Sequence, residues 1–103
     1  MIDLVRARIL RALGARRRYK YVSPRVERRG DGGWVVFSPN CSRSVDSNGG
    51  DIAIAWLQPQ GDSRWRLHAR DHAAQAWVPL LQGQTLPQAL QRLCADPQRE
   101  FWV

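Results

Sequence analysis

Cys41, His68, Asp71 and His72 are the side chains of this chain that could serve as nucleophile or proton carrier. A cysteine attacks as its thiolate and needs a base within hydrogen-bond reach. His68 or His72 could supply that base only through the fold, because both stand far from Cys41 along the chain. Asp46 and Asp71 could pair for acid–base work, but a chain with nine acids offers many such pairs. The same residues, with Cys94, also raise metal binding, yet there is no Cys-x-x-Cys pair. His68 and His72 straddle an expected strand end rather than sharing one helix face, and Cys94 belongs to an apolar stripe. No metal site and no cofactor are expected, and catalysis has no positive signal.

Arginine chemistry is better represented. Residues 1–29 hold nine Arg and one Lys against Asp3 and Glu27, whereas 30–103 hold six Arg against seven acids. The formal charge of +7 therefore resides in the first 29 residues. Arg16, Arg17, Arg18 and Lys20 could contact phosphates, and Tyr19 or Tyr21 could stack on unpaired bases. On a later strand, Arg64, Arg66 and Arg70 project with His68 from one side, and would extend that surface if the face is open. GC-rich codon usage also produces such an arginine bias, since fifteen of the sixteen bases are Arg. Neutralising about four phosphates predicts a log–log salt slope near −3 to −4.

The segment 38–50 is longer than most hairpin connections and carries Asn40, Cys41, Arg43 and Asp46 with four serines. Its glycines suit backbone N–H groups facing an anion, although no Gly-Lys-Ser/Thr ending is present. A solvated linker is the plainer reading.

These residues must be held by a few elements. Asp3–Leu13 has a helical stripe of Ile2, Val5, Ile9, Ala12 and Leu13, with Gly14 as its expected stop. Arg25–Arg29 and Trp34–Ser38 are strands around Gly30-Asp31-Gly32-Gly33. Asp51–Leu57 is a central strand, Ile52, Ile54 and Trp56 pointing one way and Ala53, Ala55 and Leu57 the other. Pro59 and Gly61-Asp62 supply the turn into Arg64–Arg70, whose inner face is Trp65, Leu67 and Ala69. Gln75–Leu81 follows, with Pro79 placing it at an edge. At least two of Trp56, Trp65 and Trp77 are expected in the core. Thr85 and Gln88 form a capping box for a last helix with a Leu86, Ala89, Leu90, Leu93 and Cys94 stripe, ended by Asp96-Pro97. Phe101-Trp102 can fold back as an apolar plug. The whole is an α+β domain: N-terminal helix, antiparallel meander of four to five strands, C-terminal helix.

A chain of 103 residues allows one domain, in which residues 1–29 are basic and residues 30–103 form a near-neutral body. No apolar run approaches the roughly 18 residues that span a bilayer, and the arginine-punctuated start does not match a secretory signal. Two cysteines are too few for a disulfide scaffold, so a reduced, cytoplasmic setting is expected.

The segments Ser38-Pro39-Asn40-Cys41-Ser42-Arg43, Gly49-Gly50-Asp51-Ile52, Ile54-Ala55-Trp56-Leu57, Trp65-Arg66-Leu67, Arg70-Asp71-His72-Ala73 and Asp96-Pro97 to Phe101-Trp102 carry a resemblance. Over about residues 19–103 the chain resembles short uncharacterised, domain-of-unknown-function proteins of xanthomonad-like proteobacteria. That resemblance implies a self-contained domain with no activity to transfer, and draws attention to Asn40, Cys41, Arg43, Arg70, Asp71 and His72. The element order is also similar to double-stranded-RNA-binding domains, but Gln84–Gln88 stands where that family is basic.

The expected function is a non-catalytic binding module for an anionic partner such as nucleic acid, DNA or RNA, bound without sequence preference through phosphates. The alternative is a protein–protein interaction module using an apolar patch or the edge near Pro79. A membrane-surface role for the first helix is a further alternative.

Overall fold

The computed structural model describes residues 4–16, 24–30, 32–39 and 51–102. Helix α1 (Leu4–Ala15) is followed by strands β1 (Arg25–Arg28), β2 (Trp34–Pro39), β3 (Asp51–Gly61), β4 (Arg64–Asp71) and β5 (Ala76–Gln84), then helix α2 (Leu86–Ala95). The strands form one antiparallel sheet in chain order, β1-β2-β3-β4-β5. This is the α+β architecture expected from the sequence, with five strands. None of the described helices is long and apolar enough to cross a membrane.

Both helices pack on the same face of the sheet. Ile9 and Leu13 of α1 and Leu86, Ala89, Leu90 and Leu93 of α2 join Val26, Trp34, Val36, Ala55, Leu57 and Leu67 in one buried cluster. Phe101 and Trp102 complete it, so the chain end does fold back as a plug. The capping box forms as its residues require: Gln88 N donates to Thr85 Oγ1 at 3.3 Å, and Thr85 N donates to Gln88 Oε1 at 2.9 Å.

Three expectations need correction. Gly14 does not stop α1, which runs on to Ala15, because nothing crowds that position and a glycine inside a helix costs only about 1 kcal/mol. The turn after β3 lies at Asp62-Ser63, both with positive φ, and Pro59 is paired within the strand. The largest correction concerns β3. Val36 pairs with Ala55 but Phe37 pairs with Ala53, which leaves Ile54 as an extra residue. The bulge puts Ile54, Ala55 and Leu57 all in the core and sends Trp56 to the other face. Strict alternation places Ile54 with Trp56. At least two of Trp56, Trp65 and Trp77 are expected inside; Trp65 packs on the edge of the main cluster, while Trp56 is buried on the opposite face. The core tryptophans are Trp34 and Trp102.

Gly33 shows why the β1–β2 connection is glycine-rich. Its φ is +89°, and a Cβ there would run into the Leu57 carbonyl oxygen of β3. Gly33→Ala is therefore expected to destabilise the fold by at least about 2 kcal/mol, from the left-handed backbone and the backbone clash together. Gly32 also has a positive φ, +123°, but open space around it, so Gly32→Ala should cost less. Urea denaturation of the two variants separates the clash from the dihedral cost.

Candidate functional site

Alternation along β4 sends Leu67 and Ala69 into the core and Arg64, Arg66, His68 and Arg70 to the opposite side. Among the described residues no helix covers that side. Cross-strand register then fixes its neighbours: Trp56 lies opposite His68, Trp77 opposite Arg70, and Arg25 opposite Phe37. The result is a surface on which guanidiniums lie on aromatic rings.

Trp56 and His68 stack with centroids 4.2 Å apart and planes 19° from parallel. Arg29 caps the indole, its Cζ 3.9 Å from the ring centroid, and the indole Nε1 donates to the Gly32 carbonyl at 2.9 Å. Trp77 leans against Trp56 at 6.0 Å, and Arg70 lies 5.0 Å over Trp77. Arg25 lies 4.6 Å over Phe37. Each such pair is worth about 0.5–1 kcal/mol at partly exposed sites and holds an otherwise loose side chain in one orientation. Beside them Val35, Phe37 and Ala53 floor a concavity of about 340 Å³, walled by Trp77, Arg28, Arg29 and Arg70 with Glu27 as its acid.

The charges on this face are unevenly matched. Arg25 is bonded to Glu27 at 2.5 Å and to Asp51 at 3.5 Å. Arg66 donates to the neutral Gln82 at 3.3 Å, and among the described residues neither Arg66 nor Arg70 has a carboxylate partner. His68 is only 5% exposed and shares a 3.0 Å bond with Gln58 Oε1. Burial, and then the Arg66 and Arg29 charges, hold its pKa below the ordinary value of 6.5. It is therefore neutral at pH 7, and the unfolded chain takes up a proton before the folded one does. Stability should fall as pH drops from about 6.5 toward that lowered value, and be unaffected by this group well above 6.5. His68→Gln should flatten the decline in urea midpoints across this window. A residual slope is expected from His72, also lowered by burial and by Arg70 against a smaller opposing effect of Asp71.

The other expected site residues are placed less favourably. Arg64 donates to the Gly83 carbonyl at 3.3 Å at the sheet end, exposed. Asp71 accepts from Ala74 N at 3.0 Å, a turn-forming bond, and His72 sits in that turn. Arg16 is not a free phosphate contact: it is buried, donates to the Leu13 carbonyl and lies 4.7 Å over the Trp102 ring. Arg17, Arg18, Tyr19, Lys20 and Tyr21, and Asn40, Cys41 and Arg43, lie outside the described residues. So does any meeting of Cys41 with His68 or His72. Among the described residues no group of three His, Cys, Asp or Glu could hold a metal.

Sequence reasoning passed over Arg25, Arg29, Phe37 and Trp77 as site residues. The register pairs Arg70–Trp77 and Arg25–Phe37 become visible only once strand pairing is known. Arg29 had no signal of its own, being the residue between a strand and a glycine turn.

No curated protein matches this chain, and no solved structure matches it. A family model described as Domain of unknown function (DUF3024) matches residues 2–103. The helix, five-stranded sheet and helix assembled above are thus spanned by a single match, and the chain belongs to that family.

Proposed function

We propose that this domain is a non-catalytic module that binds single-stranded nucleic acid, without sequence preference, on the helix-free face of its sheet. The observation that carries this reading is the set of guanidiniums laid on rings across one face: Arg29 on Trp56, Arg70 on Trp77 and Arg25 on Phe37. Bases stack on aromatic rings and on guanidinium planes alike, and the same guanidiniums pair with phosphate. Arg66 and Arg70, without carboxylate partners among the described residues, are the primary phosphate contacts, with Arg29 beside them. Arg17, Arg18 and Lys20 would add to the binding and Tyr19 or Tyr21 would stack, as the charge asymmetry of the chain supports. The reduced-cysteine composition and the resemblance to short proteobacterial proteins favour a bacterial, cytoplasmic setting.

Titration of ¹⁵N-labelled protein with short single- and double-stranded oligonucleotides tests it. Indole and amide shifts at Trp77, Trp56 and Arg66–Arg70 are expected, larger with the single strand and weakening as salt rises. The three sheet contacts predict a slope near −2 on a single strand, steepening toward about −4 with Arg17, Arg18 and Lys20 engaged. Absence of shifts at low salt with both oligonucleotides overturns the reading.

A protein-interaction reading draws on the β5 edge, where no described strand pairs beyond it and Val78 is 41% exposed. Pro79 removes one donor from that edge, which limits strand addition. A mass that grows with concentration, and falls back in Val78→Lys, would favour it.

A further inference from the structure

A second concavity lies on the helical side and shares no lining residue with the sheet face. It is an open groove of about 520 Å³, a size in the range of small-molecule sites. From α1 it takes Arg8, Arg11, Ala12 and Ala15, and from α2 Pro87 and Leu90. These positions recur at three- and four-residue spacing over two turns of each helix, so the groove follows both helices for about 10 Å. Its room comes from sequence: Ala12 and Ala15 present only methyl groups where larger side chains would close the space.

Its chemistry is one-sided. The walls are mainly apolar, the rim is cationic, and no acid lines it. Arg8 and Arg11 are exposed and have no carboxylate partner among the described residues. Arg16, in the same lining, is held down on the Leu13 carbonyl, and burial lowers its pKa from the ordinary arginine value. A thiol completes the wall. Cys94 Sγ donates to the Ala12 carbonyl at 3.5 Å, and burial raises its pKa, so at neutral pH it adds apolar surface rather than charge.

We propose that this groove binds an aliphatic carboxylate, the chain along Ala12, Ala15 and Leu90 and the head group between Arg8 and Arg11. Charge complementarity selects an anionic head, and the apolar walls select a hydrocarbon chain. Guanidiniums bind carboxylate with bidentate geometry, which favours this head group over a neutral one.

The test uses dodecanoate below its micelle-forming concentration, with dodecanol and butanoate as probes lacking the charge or the chain. Calorimetry and amide shifts should show saturable one-to-one dodecanoate binding at residues 8–16 and 87–94, and at least about tenfold weaker binding of either control. Arg8→Gln/Arg11→Gln and Ala15→Leu change only exposed positions and keep good helix formers, so both should fold. Each should weaken dodecanoate at least about tenfold, while Trp77→Ala leaves it unchanged. Equal binding of dodecanol, or affinity untouched by Arg8→Gln/Arg11→Gln, overturns the proposal. So does binding to phosphatidylglycerol vesicles without binding of free dodecanoate, which would assign the groove to a membrane surface. A dimer abolished by Ala15→Leu would assign it to a second copy of the chain and likewise overturn the proposal.

Discussion

Asp96→Ala should destabilise the domain by about 3–5 kcal/mol, a large share of the 5–15 kcal/mol that holds a domain of this size. Asp96 is fully buried at the end of α2 in the left-handed conformation, φ 41° and ψ 59°. Its carboxylate accepts three backbone N–H groups: Glu100 at 2.6 Å, Phe101 at 3.2 Å and Trp102 at 3.1 Å. It thereby turns the chain so that Phe101 and Trp102 enter the core, where the Trp102 indole donates to the Leu93 carbonyl at 2.9 Å. Alanine strands three donors, two of them buried, and each such loss costs about 1–3 kcal/mol. The relief of desolvating the carboxylate recovers part of this, so the net lies below the plain sum. Asp96→Gly separates the causes, since glycine accepts the left-handed backbone but not the hydrogen bonds. It should be about 1 kcal/mol milder than alanine. Thermal unfolding should show a drop of about 15 °C or more for Asp96→Ala. In hydrogen exchange, the amides of Phe101 and Trp102 should lose protection first. An Asp96→Ala protein melting within a few degrees of the parent would contradict the latch.

What the sequence disclosed followed from how local each cause is. The Thr85–Gln88 box, the Pro87 start and the Asp96-Pro97 stop act within one turn of helix, and α2 is legible to the residue. Parity along β4 was legible too, because one strand with clean alternation needs no partner to define its faces. The Ile54 bulge was not, since an extra residue exists only relative to the paired β2 strand. That one residue moved Trp56 from the expected core to the face where Arg29 and His68 meet it. Composition distinguishes none of the five tryptophans: register sorts Trp34 from Trp56 and Trp77, whereas Trp102 enters the core through the Asp96 turn. The role of Asp96 as a latch was half visible: its position as a helix stop could be read, but not the three donors that return to it from the tail. Arginine excess in residues 1–29 pointed toward an anionic partner without showing where binding would occur. Arg16 belongs to that run in sequence, yet it is a packed side chain against Trp102. Arg8 and Arg11 belong to it as well, and they flank a groove that exists only because α1 and α2 are neighbours.

Arg29→Gln/Arg66→Gln/Arg70→Gln should cost about 100-fold in affinity for a single-stranded oligonucleotide at about 0.1 M salt. Each phosphate contact on a single strand contributes about 0.7 to the salt slope, and about fivefold in affinity between 1 M and 0.1 M salt. Three contacts compound to roughly two orders of magnitude, and the slope should become shallower by about 2. Trp77→Ala acts through stacking, which is worth about 1–3 kcal/mol per base and carries no counterions. It should weaken binding while leaving the slope unchanged, so the two variants differ in kind as well as in size. Loss of the Arg29–Trp56 and Arg70–Trp77 pairs also touches stability, by about 0.5–1 kcal/mol each. Melting curves of the triple variant therefore accompany the titration, and they should show a modest fall with cooperative unfolding retained. A folded triple variant that keeps the parent slope would remove the sheet face from phosphate binding. The contacts would then fall to Arg17, Arg18 and Lys20, whose own triple Gln variant should in that case carry the whole loss of slope.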